Sequence, residues 1–205
     1  MSRLLLVPQF PVAMRYQDWW YTELPKQYAN FFDEVVILGQ NAVLSNPCLA
    51  GEFSPTNEAI LFETQQTQEY VDLPLLAGDT LLLCDLSFPG LFSQVLMHKR
   101  PDRCFAICHA TSKNRYDYFA RRRSSKWMIE SGISRLFDKV FVATNYHKEK
   151  LGWNNVEVVG LPLPPVEKWK IDRASTRWRE VVSVARPSIQ KCNKRLEKRV
   201  ERRLG

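Results

Sequence analysis

Two positively charged residues bracket a short loop near the carboxyl end of the chain. In "VVSVARPSIQK" (181–191), Arg186 and Lys191 flank the turn between an apolar, strand-like run and a helix that begins near Gln190. Such a loop directs two cations and the N–H groups of a helix N-terminus toward one point, and this arrangement binds a diphosphate. Arg186 and Lys191 are therefore candidate diphosphate-binding residues.

A histidine lies where another apolar run leaves the predicted sheet. His109 follows "RCFAIC", and the residues after it, "ATSKNRYDYF", are polar, basic and aromatic. An imidazole titrates near neutral pH, so His109 is a candidate catalytic residue that orients a substrate hydroxyl or a phosphate. The alternative interpretation is a structural histidine whose ring pairs with backbone groups at a strand end.

Further polar residues lie close to His109 in the predicted order of elements. Asp85 follows the run "TLLLC", and Lys113, Asn114 and Arg115 open the stretch "KNRYDYFARRRSSKW". Cations that bind phosphates, mixed with Tyr and Phe rings that stack on bases, are typical of a nucleic-acid groove. These four residues are candidate ligand-binding residues, and the aromatic rings could equally belong to the core.

The overall charge also favours an anionic ligand. The chain carries 29 Lys and Arg against 22 Asp and Glu, a net charge of +7, and the excess is concentrated at 113–126 and 173–203. Clustered positive charge suits a polyanion or a phosphorylated molecule. For the last helix, the alternative is a basic face that is simply solvated.

Several common sites are excluded because the residues they need are missing. "VPQFPVAM" lacks the glycines of a dinucleotide-binding loop, and the chain has neither a Walker phosphate loop nor a G-x-S-x-G elbow. Three of the five cysteines, Cys84, Cys104 and Cys108, lie in apolar runs and are expected to pack as small hydrophobic residues. Their spacing does not fit a zinc site, so we expect no metal.

The elements that would position these residues alternate between strands and helices. Short apolar runs predict strands, and stretches with helical spacing lie between them. This alternation predicts crossover units on a doubly wound, mainly parallel sheet, which is an α/β Rossmann-like fold over residues 1–165. The predicted strands are 3–10, 34–39, 79–88, 103–110, 139–144 and 156–165, and the predicted helices are 16–32, 58–78, 89–100, 124–138 and 145–153.

The remaining residues predict the start of a second domain. Residues 166–180 have the composition of a linker, and 181–205 read as a strand, a loop and a basic helix. A single βα unit cannot bury its own apolar face, so this helix is expected to dock on the first domain, to self-associate with another chain or to fray. The apolar runs are too short to span a bilayer and no signal peptide is visible, so we expect a cytoplasmic protein.

Two segments resemble the retaining GT-B glycosyltransferases of family four. "DKVFVATNYHKEKLGWNNVEVVGLPLPP" (138–165) is similar to the end of the N-terminal domain of that family, and "VVSVARPSIQK" (181–191) is similar to the first strand and loop of its donor domain. Members of the family have two Rossmann-like domains that face a cleft. The acceptor binds mainly to the first domain, and the nucleotide sugar binds mainly to the second.

The resemblance implies a role for each candidate residue. Arg186 and Lys191 would stabilise the charge on the donor diphosphate, and His109 would contact the acceptor or the transferred sugar. The implied reaction transfers a sugar from a nucleoside-diphosphate sugar to a polyanionic or hydroxyl-bearing acceptor, with modified DNA as one candidate, and needs no metal or other cofactor. The expected acceptor-binding residues are Asp85, Lys113, Asn114 and Arg115.

The chain also departs from the family pattern. Its first loop lacks the usual glycines, and the paired-glutamate segment of the family is absent from residues 1–205. We therefore expect an acceptor-binding half with an incomplete donor domain, either as a piece of a longer enzyme or as a short form. Two alternatives are a non-catalytic protein that binds a nucleotide, a sugar or a nucleic acid, and an unrelated flavodoxin-like domain that binds no nucleotide sugar.

Overall fold

A computed structural model describes residues 2–11, 16–40, 57–86, 95–114 and 123–160. All of them lie in the first of two units into which the chain divides, Met1–Pro164. The strands are β1 Arg3–Val7, β2 Glu34–Ile37, β3 Thr80–Leu83, β4 Arg103–Ile107, β5 Lys139–Val142 and β6 Val156–Val158. The helices are α1 Tyr16–Thr22, α2 Leu24–Tyr28, α3 Asn57–Asp72, α4 Arg123–Ser134 and α5 Asn145–Leu151.

The six strands form one parallel sheet in the order β2-β1-β3-β4-β5-β6. Every neighbouring pair is parallel, so the predicted α/β class with a parallel sheet is confirmed. The chain leaves β1 toward one edge of the sheet and leaves β3 toward the other. The order therefore reverses between β1 and β3, and this switch point is where open α/β sheets bind ligands.

Both faces of the sheet are covered, because the central strands are apolar on both sides. Leu5 of β1 packs into a core that includes Tyr70 of α3 and Leu151 of α5. The next residue, Leu6, points to the opposite face and packs into a second core with Trp20 of α1. Side chains of a strand alternate between its two faces, so the continuous leucine run of β1 supplies both cores at once.

The strands are shorter than their apolar runs predicted, and the difference lies at their carboxyl ends. β1 ends at Val7 rather than at residue 10, and β4 ends at Ile107 rather than at residue 110. Pro8 has no N–H with which to continue a ladder. Buried residues nevertheless continue past both strands, which is why the apolar pattern alone placed the ends too late.

Prolines and a glycine set three helix boundaries: the predicted helix 16–32 is divided into α1 and α2, the predicted helix 58–78 ends earlier, at Asp72, and the predicted helix 145–153 is observed as α5. Pro25 lies in the first turn of α2, and Gly152 caps α5 with a left-handed φ of 64°. α3 ends at Asp72, because the residue before Pro74 disfavours helical backbone. The predicted helix 89–100 falls partly outside the described residues, and the predicted linker 166–180 and second-domain start 181–205 fall entirely outside them.

A buried ion pair joins two strands at the amino edge of the sheet, opposite the strand ends that carry the candidate site. Arg3 at the start of β1 donates from Nε and Nη2 to both carboxylate oxygens of Asp79, at 2.9 and 2.6 Å. Asp79 also accepts from the backbone N–H of Leu76, and Arg3 donates to the carbonyl of Pro74. The pair therefore ties β1 to the turn that precedes β3.

Gly39, two residues after β2, is a position where an added methyl group has no room. Its φ is 85°, and a Cβ there would lie 2.7 Å from Cγ of Gln66 and 2.9 Å from Cε2 of Phe62. We expect Gly39→Ala to lower the free energy of unfolding by about 1–3 kcal/mol, as overpacking and a left-handed alanine do. Urea denaturation of the purified chain measures the change.

Gly132 provides the matched control for this substitution. It lies within α4, and a Cβ there would meet nothing within 4 Å. Gly132→Ala should therefore raise stability by about 0.5–1 kcal/mol, the usual gain from removing glycine from a helix interior. Equal urea midpoints for the two variants would contradict the packing described around Gly39.

The helices of the described ranges were also compared with the requirements of a membrane span. Crossing a bilayer takes roughly 20 consecutive apolar residues. Among residues 2–11, 16–40, 57–86, 95–114 and 123–160, no helix has the length and apolar character to do so.

Candidate functional site

Three polar residues follow the strands around the switch point, at the carboxyl edge of the sheet. Gln9 follows β1, Asp85 follows β3 and His109 follows β4. The carboxyl ends of parallel strands lie at one edge, so side chains that are far apart in sequence become neighbours there. The structure places the predicted residue Asp85 against Gln9 and the predicted residue His109 against the carbonyl of Cys84, the residue before Asp85. These three residues are named the strand-end cluster.

The amide group of Gln9 is oriented by Asp85. Gln9 Nε2 donates a hydrogen bond to Asp85 Oδ2. A carboxylate can only accept, so the N–H₂ group faces Asp85 and the amide oxygen faces away from it. Within the described part of the chain, Gln9 Oε1 is shielded from solvent and has no hydrogen-bond partner. The pair therefore presents an acceptor oxygen that lacks a donor.

The ring of His109 is held by a backbone group and an aromatic side chain. His109 Nε2 lies 3.3 Å from the carbonyl oxygen of Cys84, and the ring centroid lies 4.7 Å from that of Trp20, with an angle of 43° between the planes. A carbonyl can only accept, so Nε2 is the nitrogen that donates in this contact. Trp20 is fully buried and His109 is half-buried, so the ring is fixed but partly accessible.

A second histidine lies beside the strand-end cluster. His147 is in the first turn of α5, which follows β5, and its Nε2 lies 3.9 Å from Sγ of Cys108. Burial, and secondarily the nearby charge of His109, lower the pKa of His147 below its usual value. His147 is therefore favoured as a neutral imidazole near neutral pH. His147 lies in the predicted helix 145–153, and the sequence assigned it no role.

The loop that follows His109 is anchored by a buried carboxylate of α4. Glu130 is completely buried and accepts from the backbone N–H of Ser112 at 3.1 Å and from its hydroxyl at 2.6 Å. Lys126, one turn earlier on α4, lies 3.5 Å from the same carboxylate. A carboxylate buried in this way is stable only with such partners. Glu130 therefore fixes the path of the chain as it leaves the strand-end cluster.

Lys113 and Asn114, both predicted to bind the ligand, lie farther along this loop. The ammonium of Lys113 lies 3.9 Å from the ring centroid of Trp127 and donates to the carbonyl of Lys150 at 3.2 Å. The ammonium thus makes a cation–π contact with Trp127 and interacts favourably with the carboxyl end of α5. Asn114 is exposed. The predicted residues Arg115, Arg186 and Lys191 lie outside the described residues.

The cysteines near the cluster have the character of core residues. Cys84, Cys104 and Cys108 are buried free thiols. Burial, and then the charge of Asp85, raise the pKa of Cys84 far above its usual value, and burial raises the pKa of Cys104 to about 11. These two thiols stay protonated at neutral pH and are poor nucleophiles. Their predicted packing as small hydrophobic residues is confirmed.

Two residues of the site carry signals that sequence reasoning did not use. Gln9 lies in the segment "PQF", where only the missing glycines entered the prediction, and Trp20 entered it only as an apolar position of a predicted helix.

Across the described ranges, no group of three or more His, Cys, Asp or Glu side chains could hold a metal ion.

Comparisons of the chain with protein-family models, curated proteins and solved structures found no match.

Proposed function

We propose that the chain acts in glycosyl transfer, with a nucleoside-diphosphate sugar as donor and with the acceptor bound at the strand-end cluster. The observation that carries the proposal is the placement of Gln9, Asp85 and His109 after neighbouring strands at the carboxyl edge beside the switch point, where Gln9 contacts Asp85 and His109 contacts the carbonyl of Cys84. A half-buried imidazole at this edge can orient an acceptor hydroxyl. The resemblance to GT-B transferases adds support from the sequence.

In the proposed reaction, an acceptor hydroxyl lies against the accessible part of the His109 ring. Its oxygen forms a bond to the anomeric carbon of the donor on the face from which the diphosphate departs, the bond from that carbon to the diphosphate breaks, and the hydroxyl proton passes to an oxygen of the departing diphosphate. The resemblance implies that Arg186 and Lys191, which lie outside the described residues, stabilise the negative charge on that diphosphate. The contact of Nε2 with the carbonyl of Cys84 holds the His109 ring that orients the hydroxyl.

The basic stretch that begins at Lys113 supports an acceptor with a polyanionic part, and modified DNA is one candidate. The positive charge is concentrated at 113–126, directly after the loop that leaves His109. Because Lys113 itself is engaged with Trp127, the anionic part of the acceptor would meet the residues beyond it. Binding at such a stretch would weaken steeply with added salt.

His109→Ala is expected to lower the rate of transfer by about 100-fold, the size of loss that follows when a reacting group is no longer held in position. The full chain is incubated with a panel of nucleoside-diphosphate sugars and with oligonucleotide or glycoside acceptors, and release of the nucleoside diphosphate is measured. Since the His109 ring is only half-buried, the melting temperature should change little. The matched control is His98→Ala, because His98 is an exposed histidine elsewhere on the fold.

Three outcomes would each point to a different interpretation. A loss of thermal stability in His109→Ala that equals its loss of activity would assign the Cys84 and Trp20 contacts to a purely structural histidine. Binding of nucleotide sugars without release of the nucleoside diphosphate would favour the non-catalytic binding protein. The absence of any nucleotide-sugar binding would favour the unrelated flavodoxin-like domain.

A further inference from the structure

We propose that the chain forms a weak two-fold dimer in which the outer edge of β2 pairs antiparallel with β2 of a second copy. Among the strands of the described residues, β2 is at one end of the sheet and pairs with β1 alone. An edge strand presents backbone N–H and C=O groups that can pair with another chain. The inference concerns an interaction surface and does not depend on the proposed reaction.

The hydrogen bonds between β2 and β1 determine which backbone groups of β2 face outward. The N–H groups of Glu34 and Leu38 donate to carbonyl oxygens of the β1 segment, at 3.3 and 2.9 Å. The backbone groups of a strand point alternately to its two sides, so Val36 also faces β1. The N–H and C=O groups of Val35 and Ile37 therefore point away from β1, along the outer edge.

The composition of β2 leaves this edge with little protection. Natural proteins protect edge strands with lysine, proline, bulges or very short strands. β2 has the sequence EVVI, and all four of its side chains are half-buried. Phe31, three residues before β2, is 78% exposed, more than any other large apolar side chain of the described residues. An apolar edge of this kind is suited to being covered by a further strand.

A two-fold axis at Val36 pairs all the outward groups of β2 at once. Val35 of each copy then lies opposite Ile37 of the other, and each such pair exchanges both of its N–H···O hydrogen bonds. Val36 lies opposite Val36 of the second copy, and Glu34 lies opposite Leu38. Within β2, this register places no like charges opposite each other, so the edge is complementary to a second copy of itself.

The strand at the opposite end of the sheet is unsuited to the same pairing. Asn155 and Val159 form backbone hydrogen bonds with β5, so the same alternation makes Val156 and Val158 face outward. A two-fold axis between them would place Glu157 directly opposite Glu157 of the second copy, and like charges in that position destabilise a strand pair. Self-association is therefore expected at β2 rather than at β6.

Sedimentation velocity on the full chain tests for the dimer. Pairing one edge strand per copy buries a small area, and interfaces below about 1,200 Å² are typical of weak complexes. We expect the weight-average mass to rise toward that of a dimer between about 5 and about 500 μM, the range in which weak complexes form. The mass should not rise further, because the two-fold pairing uses the β2 edge of both copies.

Two charge substitutions at Val36 test this register specifically. Val36→Lys and Val36→Glu should each weaken self-association about tenfold, because like charges then lie opposite each other across the axis. An equimolar mixture of the two variants should recover the dimer, because an introduced ammonium then faces an introduced carboxylate. Melting temperatures show whether each variant is folded. A substitution that only destabilised the monomer would not be rescued by mixing.

A matched pair of proline substitutions separates the two edges of the sheet. Val35 and Val158 are both half-buried valines with an outward N–H, one on β2 and one on β6. Proline removes that donor and is tolerated where the N–H does not bond to a neighbouring strand. Val35→Pro should weaken dimerisation about tenfold, as the loss of well-placed hydrogen bonds does, and Val158→Pro should leave it unchanged.

The inference is wrong if the chain remains monomeric up to about 500 μM or associates beyond a dimer. It is also wrong if folded Val35→Pro dimerises as the unchanged chain does, or if mixing the folded Val36 variants recovers nothing. The association would then use another surface, such as the predicted basic helix at the carboxyl end. If the Val36 variants do not fold, the comparison of the two proline variants decides the question. None of these measurements involves a sugar donor, so their failure leaves the proposed function standing.

Discussion

Asp79→Ala should lower the free energy of unfolding by about 3–5 kcal/mol, because it leaves a buried guanidinium without its counter-ion. The side chain of Arg3 is 7% exposed and that of Asp79 is 1% exposed, so water cannot replace the lost carboxylate. The substitution also removes the acceptor for the Leu76 N–H. Chemical denaturation of the purified chain measures the loss, which is a large fraction of the stability of a typical domain.

An exposed ion pair provides the control for Asp79→Ala. Lys139 and Glu157 are 3.7 Å apart and about half of each side chain is exposed. Glu157→Ala should therefore change stability by no more than about 1 kcal/mol. Replacing both buried partners, as in Arg3→Met with Asp79→Leu, should restore much of the stability, because neither charge is then left unpaired. A double variant as unstable as Asp79→Ala would contradict this account.

The same pair predicts the direction of a pH dependence. Burial alone would raise the pKa of Asp79, but the hydrogen bonds from Arg3 and Leu76 and the charge of Arg3 outweigh it and lower that pKa. A carboxyl with a lowered folded-state pKa contributes stability above its unfolded pKa, near 4, and loses it as the pH falls through the folded value. The stability gap between the unchanged chain and Asp79→Ala should therefore narrow below about pH 4.

The sheet could be predicted from the sequence because local pattern determines it. Continuous apolar runs such as the one in β1 arise where a strand is buried on both faces, and helical spacing between them implies crossover connections. The order of the strands is a property of the whole chain and could not be read from any one run. The exact strand ends also depend on which backbone N–H and C=O groups form hydrogen bonds with a neighbouring strand. The hydrophobic pattern of the sequence does not determine these hydrogen bonds.

The candidate site was predictable only in part, for a similar reason. Asp85 and His109 could be found because a strand end is visible in the sequence and the topology brings such ends together. The contact between Trp20 and His109 joins residues that are far apart in the chain, and it depends on how α1 packs over the sheet. The clustering of basic residues in the sequence also did not reveal that the Lys113 ammonium contacts the ring of Trp127.

Glu130 links the stability of the fold to the site, and Glu130→Ala should lower the free energy of unfolding by about 3–5 kcal/mol. The substitution removes the buried carboxylate that accepts from the hydroxyl and N–H of Ser112 and that pairs with the ammonium of Lys126. Glu130→Gln keeps one carbonyl oxygen as an acceptor but places an N–H₂ group against the same donors. It should therefore lower the free energy of unfolding by less than Glu130→Ala does. Chemical denaturation of both variants measures this difference.

The position of Glu130 also predicts an effect on ligand binding that a remote destabilising substitution would not have. The loop that it anchors continues from His109, so the unanchored loop should weaken binding of the acceptor used in the transfer assay at a temperature where the variant is still folded. Gly39→Ala is the suitable comparison, because it destabilises the fold through the packing between β2 and α3. If Gly39→Ala and Glu130→Gln, brought to equal stability by the choice of temperature, bind this acceptor equally well, then Glu130 supports the fold alone and has no role in positioning the site.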